Sequence, residues 1–271
     1  MELKPIGVVR SRISVKDDMP VQGVDAEIEI FEEYAPALDG IDGNSHLLVL
    51  CWLHQADRTV LKAAPRKISR DLPEKGVFSM RSPSRPNPIS VTPVKIQRRF
   101  GRFIFVSNLD MVDGTPVLDI KPYQAGWDCI FSARNPDRNE KNKRMKPGDY
   151  RASLVREGLN YHGEQCIGLA VAVRMAMVAS IALDSDMRND DVGILIGKNP
   201  CISDSLIGIT GARLGTGRLL FNLRPKMKMT SDSYSIFNQE KTVIFKIKRF
   251  LKSYNDVLEC DANDLFDIEI I

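Results

Sequence analysis

Along the first half of the chain apolar residues recur with a period of two in short runs, the spacing of strands with one buried face. Residues 26–31 (AEIEIF) alternate strictly, and residues 3–9 open another such run. Residues 89–97 and 103–109 read as two strands joined by a turn at Phe100-Gly101, and residues 117–120 as a further strand. Residues 46–53 (HLLVLCWL) are almost continuously apolar, which predicts a strand covered on both faces. Many short strands punctuated by Gly and Pro predict an all-β, single-sheet barrel, closed or nearly so.

The pattern then changes. Residues 134–151 (RNPDRNEKNKRMKPGDYR) contain almost no apolar side chain and two prolines, which predicts a charged linker. Beyond it, residues 153–159 predict a short helix, 167–183 a longer one, 192–196 a strand and 241–250 (KTVIFKIKRF) an alternating strand. The expected organisation is a β-barrel domain over residues 1–133, the linker, and an α+β domain over 152–271. No internal repeat is present.

Length and composition narrow the classes. A chain of 271 residues suits two domains of ordinary size, and 43% hydrophobic with 27% charged residues fits a soluble globular protein. The most apolar run, residues 167–183, is interrupted by Arg174 and falls short of the roughly 20 residues a membrane span needs, so no membrane partner is expected. No secretory signal follows Met1. The cysteines Cys51, Cys129, Cys166, Cys201 and Cys260 are scattered, odd in number and without a CxxC pair. That excludes a disulfide framework and a zinc ribbon, and points to a cytoplasmic location. Net charge is only +3, yet the stretch 56–105 carries Arg58, Lys62, Arg66, Lys67, Arg70, Lys75, Arg81, Arg85, Lys95, Arg98, Arg99 and Arg102 against Asp57, Asp71 and Glu74. This local excess suits a polyanionic partner, unless acids from elsewhere in the fold neutralise it.

Within that stretch, residues 76–88 (GVFSMRSPSRPNP) stand out. Each proline fixes its own φ and restricts its predecessor, so the loop is stiff, and Arg81 and Arg85 project from it. Guanidinium groups on a rigid loop hold a carboxylate or phosphate bidentately; an edge loop with solvated arginines is the structural alternative. The glycine cluster in residues 210–217 (TGARLGTG) lacks dinucleotide-fingerprint spacing and reads as a loop, not a Rossmann turn.

Residues 76–88 resemble the signature of the TsaA-like family, the tRNA N6-threonylcarbamoyladenosine methyltransferases known as TrmO. Four further pieces resemble that family in the same order: PIGVVRS (5–11), Pro20-Val21-Gln22, EYAPAL through GIDGNSHLLVL to Trp52-Leu53-His54, and LDMVDGTPVLDIKPY (109–123). The resemblance implies a non-Rossmann β-barrel methyltransferase, usually a homodimer, that binds S-adenosyl-L-methionine and methylates N6 of threonylcarbamoyladenosine at anticodon-loop position 37 of tRNA. By matched position it assigns Pro20, Gln22, His54, Gln55, Arg81, Arg85, Asn87 and Asp119 to the cofactor, and Asp113, His54 and Arg85 to catalysis. Asp113 or His54 would take the acceptor's proton, and Arg85 would anchor the methionine or threonyl carboxylate. Competing structural roles are a core histidine for His54, an Asp-Gly turn for Asp113, and strand core or turn for residues 118–123.

The second half carries its own resemblance. YHGEQCIGLA (161–170), KNPCISD (198–204) and residues 211–221 resemble the FmdE domain of formylmethanofuran dehydrogenase, over residues 154–229. That family has His-Gly-His-x-Cys-Pro-Gly before its helix and holds a metal. Here His162, Cys166 and Cys201 match, while Glu164 replaces the second histidine and Ile167 the proline. The match implies zinc or another divalent metal and, by its link to methanogenic metabolism, an archaeal source; a loop-to-helix position would also make the thiols more acidic through the helix N-terminus. Two rival functions follow: a non-catalytic adenosylmethionine- or RNA-binding module, and a metal-dependent accessory protein acting through the second domain.

Overall fold

The computed structural model describes residues 2–133, 135, 137–221, 233–248 and 253–271. The chain divides into two compact units, Met1–Ala133 and Arg134–Ile271. The first holds strands β1 (Gly7–Arg10), β2 (Val24–Ile30), β3 (His46–Trp52), β4 (Lys62–Ala63), β5 (Lys75–Gly76), β6 (Ile89–Phe100), β7 (Phe103–Leu109) and β8 (Pro116–Pro122), then a helical turn α1 (Ala125–Asp128). Six strands close into an antiparallel barrel in the order β1-β2-β7-β6-β3-β8, and β4 and β5 pair separately as a short ribbon. The expected single-sheet barrel is therefore present. Closure leaves no edge strand, and alternate residues such as Val9, Ile28, Val49, Ile104 and Val117 fill the interior.

β3 departs from the expectation of burial on both faces. Leu47, Val49 and Cys51 are sealed inside, whereas His46, Leu48, Leu50 and Trp52 are only half-buried. A six-stranded barrel has one interior, so an apolar outer face on β3 has no second core behind it.

Inside, burial pushes the Cys51 thiol up to about 12 from an ordinary value near 9. The fold thus holds the protonated form. That stabilisation is complete below about pH 9 and is lost as pH rises through about 12, at about 1.4 kcal/mol per pH unit in between. Denaturant unfolding at pH 8, 9.5 and 11 should show a steeper alkaline loss for the wild type than for Cys51→Ala; parallel curves would contradict this.

The connections sort onto the two barrel ends. Residues 31–45 and the β6–β7 hairpin lie at one; residues 11–23, 53–88 and 110–115 lie at the other. At this second end Gly23 has φ +74, and a Cβ there would sit 2.8 Å from the backbone of Asn108 and Leu109. Only glycine lets β2 start so close to the end of β7.

The second unit contains α2 (Arg138–Lys143), α3 (Pro147–His162), α4 (Ile167–Ala182), β9 (Gly193–Ile196), α5 (Pro200–Thr210), β10 (Leu219–Phe221), β11 (Ser233–Phe237), β12 (Thr242–Ile247), α6 (Tyr254–Glu259), α7 (Ala262–Leu265) and β13 (Phe266–Ile270). A mixed sheet runs β10-β9-β11-β12-β13, with β9 and β10 parallel and the other pairs antiparallel. α4 is apolar almost all round, and nine of its side chains or backbone sites from Gly168 to Ala179 are buried. The acidic-apolar tail ends as edge strand β13, with Val243 opposite Ile270. The alternating run expected over 241–250 is β12, and its last two residues lie outside the described ones.

The charged segment read as a linker carries α2 and the start of α3. Several of its charges have partners: Arg138 Nε binds Asp186 Oδ1 at 2.7 Å and its Nη2 binds Glu157 Oε1 at 2.6 Å. Asp186 is 3% exposed and also accepts from Asn142 and from the Arg188 N–H. Polarity here serves a buried ion-pair network, which composition cannot distinguish from solvation. Among the described residues no helix is long and apolar enough to cross a membrane.

Candidate functional site

Three connections distant in sequence are bonded together at one end of the barrel. The Ser11 N–H donates to Asp113 Oδ1 at 3.0 Å, and the Asp113 N–H donates to the Ile13 carbonyl at 2.7 Å. Gln55 Nε2 reaches the Ser14 carbonyl at 3.5 Å. Lys67 Nζ donates to the carbonyls of Lys16 and Met19 at 2.7 and 3.0 Å, pinning residues 53–88 to the β1–β2 connection. Arg58 donates to the Pro86 carbonyl at 3.1 Å and lies over the Trp52 ring, 5.4 Å from its centroid. Pro20, Gln22, His54, Gln55, Arg81, Arg85, Asn87 and Asp113 all belong to these connections.

The two arginines of the stiff loop behave differently. Arg81 is exposed and has no ion-pair partner among the described residues. Arg85 turns back into its own loop, where Nη2 donates to the carbonyls of Val77 and Met80, the latter at 2.5 Å. Its Nε is buried without a hydrogen-bond partner among the described residues. Ser79 Oγ donates to the Gly76 carbonyl at 2.7 Å, and Val77 is buried beneath the turn. The loop is held by its own arginine as well as by its prolines, so only Arg81 projects as expected.

His54 is exposed just past β3, not a core histidine, and Asn87 is exposed beside β6. Asp113 has one carboxylate oxygen committed to the turn that ties β1 to the β7–β8 connection. Asp119 is set apart from the group. It lies within β8 opposite Leu50, its carboxylate accepting from its own strand's Ile120 N–H at 2.9 Å and pairing with Lys121 at 2.8 Å. Strand register fixes that position in the barrel wall. The sequence reading missed Lys67 and Arg58 as tethers and Asp110, which accepts from Thr92 Oγ1 at 2.8 Å next to the same connection. Both cations sit in the basic run, but nothing in a charge run marks which members fold back.

A second cluster is built by three helix ends. His162 closes α3, which stops at Gly163 with φ 84. Cys166 is the N-cap of α4, its Sγ accepting from the Leu169 N–H at 3.5 Å. Cys201 follows the N-cap Asn199 and Pro200 in the first turn of α5, a helix start the sequence reading did not assign despite that Asn-Pro signal. A Cβ on Gly168 would lie 2.5 Å from the Cys201 Cβ, so glycine lets the starts of α4 and α5 touch. His162 Nε2 is 3.2 Å from Cys166 Sγ, and the ligand atoms of His162, Cys166 and Cys201 all lie within 4.8 Å of one another. Asp204 Oδ2 stands 3.8 Å from His162 Nδ1. Burial, then the neighbouring Cys166, pushes the Cys201 thiol up. The direction is opposite to the acidification expected at a helix N-terminus. Two thiols and an imidazole in this spacing form a donor set suited to zinc.

Residues 8–129 match the tRNA-methyltransferase O N-terminal domain, and residues 161–264 match the model described as FmdE, molybdenum formylmethanofuran dehydrogenase operon. A probable S-adenosyl-L-methionine-binding protein of Methanothermobacter thermautotrophicus is 42% identical over 134 residues, covering 48% of this chain and 95% of that protein. The chain belongs to the tRNA-methyltransferase O family. A probable S-adenosyl-L-methionine-binding protein of Archaeoglobus fulgidus is 35% identical over 82% of this chain and 61% of its own length. The human tRNA (adenine(37)-N6)-methyltransferase is 34% identical over 53% of this chain, which spans only 35% of that enzyme. A crystal structure of TrmO from Pseudomonas aeruginosa aligns with 92% of this chain and 93% of its own at 21% identity and a TM-score of 0.43.

Proposed function

We propose that the barrel unit transfers a methyl group from S-adenosyl-L-methionine to N6 of threonylcarbamoyladenosine at position 37 of tRNA. The supporting observation is the meeting of residues 11–23, 53–88 and 110–115 at one barrel end, which gathers the motif residues from three separate parts of the sequence. The chain's likeness to a probable S-adenosyl-L-methionine-binding protein and to a tRNA (adenine(37)-N6)-methyltransferase supports this choice of cofactor and reaction. The donors fit the cofactor's carboxylate. Arg81 has no acid partner among the described residues, and Arg85 Nε is a buried donor without an acceptor, a state that costs about 1–3 kcal/mol until one arrives.

When bound, the cofactor supplies an electrophilic methyl on a sulfonium. Transfer breaks the S–C bond, forms an N–C bond and releases one proton from N6. In this reading the loop 76–88, clamped by Arg85, fixes the geometry, and positioning supplies much of the acceleration. Arg81 takes the carboxylate, with Pro20, Gln22, Gln55 and Asn87 around the cofactor. Asp113, through the oxygen not bonded to Ser11, or His54 accepts the proton. The homodimer implied by the family resemblance and the cytoplasmic setting suggested by the unpaired cysteines belong to the same reading. Radiolabelled cofactor should deliver methyl groups to threonylcarbamoylated tRNA and not to unmodified transcript. Incorporation into neither would favour a module that binds without catalysing.

For the second unit we propose a bound zinc or similar divalent ion held by His162, Cys166 and Cys201, supported by their spacing and by the donor chemistry. Asp204 would orient the imidazole through Nδ1.

A further inference from the structure

The basic stretch 56–105 divides in two. Around the β6–β7 hairpin two of the three arginines are paired with acids: Arg99 binds Asp42 at 2.6 Å, and Arg102 binds Glu29 at 2.7 Å and Glu32 at 3.5 Å, while Arg98 keeps its charge over the Phe105 ring. Residues 54–76 are different. Lys62, Arg66 and Arg70 are exposed, and none has an ion-pair partner among the described residues. The acids of this excursion are Asp57, Asp71 and Glu74, and Asp57 is already occupied by the N–H and hydroxyl of Thr59.

The excursion is fixed, not loose. Leu72 and Val77 are buried, β4 and β5 pair Lys62 with Gly76, the Val77 N–H donates to the Leu61 carbonyl, and Lys67 ties the segment to the β1–β2 connection. Directly after β5, Phe78 is 82% exposed although its neighbour Val77 is sealed. A preorganised segment therefore carries three exposed cations without acid partners among the described residues, with an unburied aromatic ring next to its closing ribbon, on the barrel end that bears the motif residues. Fixed cations suit phosphates and an exposed ring suits an unstacked base, the pairing of features by which proteins hold single-stranded nucleic acid.

We propose that residues 54–76 and Phe78 form the surface on which the substrate RNA rests, Lys62, Arg66 and Arg70 meeting backbone phosphates and Phe78 stacking on an unpaired base. The assignment rests on the proposed tRNA substrate, and it adds which part of the barrel receives it. It singles out the excursion from the equally arginine-rich hairpin, whose guanidinium groups already have carboxylates or rings.

The test is anisotropy of a fluorescent unmodified tRNA transcript titrated with the full chain across a salt series. Each lost phosphate contact should reduce the log–log salt slope by about 0.7–0.9. The triple variant Lys62→Ala, Arg66→Ala, Arg70→Ala should therefore lose about 2–3 in slope and bind at least about tenfold more weakly at low salt. Phe78→Ala should weaken binding about tenfold with the slope unchanged, since stacking displaces no counterions. Lys62→Arg should keep the wild-type slope, and cofactor binding measured by calorimetry should be unaltered in the triple variant. A triple variant with wild-type slope and affinity overturns the surface, even if the wild type methylates tRNA. The converse, a reduced slope with no methyl transfer by the wild type, upholds the surface and counts against the catalytic reading alone.

Discussion

Arg85→Ala should lower cofactor affinity by about 100-fold or more and take methyl transfer with it, by an indirect route. In the wild type the guanidinium holds the Val77 and Met80 carbonyls through one nitrogen, closing residues 77–85 into a ring. Hydrogen bonds to a charged donor contribute about 1.5–3 kcal/mol each, so losing two costs about 3–6 kcal/mol of loop order. Such a loss corresponds to a factor of about 100 or more in the fraction of chains holding the productive loop shape. A decarboxylated cofactor analogue separates clamp from anchor. If Arg85 acts as a clamp, Arg85→Ala weakens the analogue and the natural cofactor by the same factor, whereas Arg81→Ala weakens only the natural one. Should Arg85→Ala leave the analogue's affinity untouched, the carboxylate anchor is Arg85 and the clamp is incidental. Arg85→Lys keeps the charge but not the planar fork, so it should recover only part of the loss.

Apolar patterning is a local property, and it located the long strands of the barrel: β2 by its period-two alternation and β3 by its continuous apolar run. It also suggested a closed sheet, because short strands between Gly and Pro turns leave few other solutions. What local pattern cannot encode is pairing. The apolar outer face of β3 read as buried because whether a second layer covers Leu48 and Leu50 depends on the rest of the fold. The segment 134–151 read as a linker because Arg138 looks the same whether it faces water or Asp186. At the candidate site, motif matching found residues that the fold gathers at one barrel end, with Asp119 as the exception. It could not show that Arg85 faces its own backbone, since the acceptors are carbonyl groups that every residue carries. His162, Cys166 and Cys201 are brought together by the approach of α4 and α5 at Gly168, a contact visible only once the helices are packed.

Cys166→Ser is expected to remove metal from the second unit without unfolding it. Zinc held by protein ligands contributes an apparent 10–16 kcal/mol or so, and division among three or four ligands gives about 3–4 kcal/mol for one thiolate, a factor of about 100–1,000 in affinity. The usual objection, that such a variant merely fails to fold, is met by where this cysteine stands. Cys166 caps α4, its sulfur accepting the Leu169 N–H at the long distance of 3.5 Å. Serine is a better N-cap than cysteine, so the helix start should be kept or strengthened in the variant. Without metal, wild type and Cys166→Ser should thus unfold at the same denaturant concentration to within about 1 kcal/mol, and added zinc should stabilise only the wild type, by about 2.7 kcal/mol at 100 times its Kd. Because the thiols must give up protons to bind, and Cys201 holds its proton more tightly than an ordinary cysteine, the wild-type affinity should weaken as pH falls. Elemental analysis of anaerobically purified protein reads the first result and zinc-dependent unfolding the second. If the wild type carries no metal and gains nothing from zinc, then the sulfur and imidazole atoms, though only 4.8 Å apart at most, serve as a helix cap and packing around α4 and α5, and the metal proposal falls.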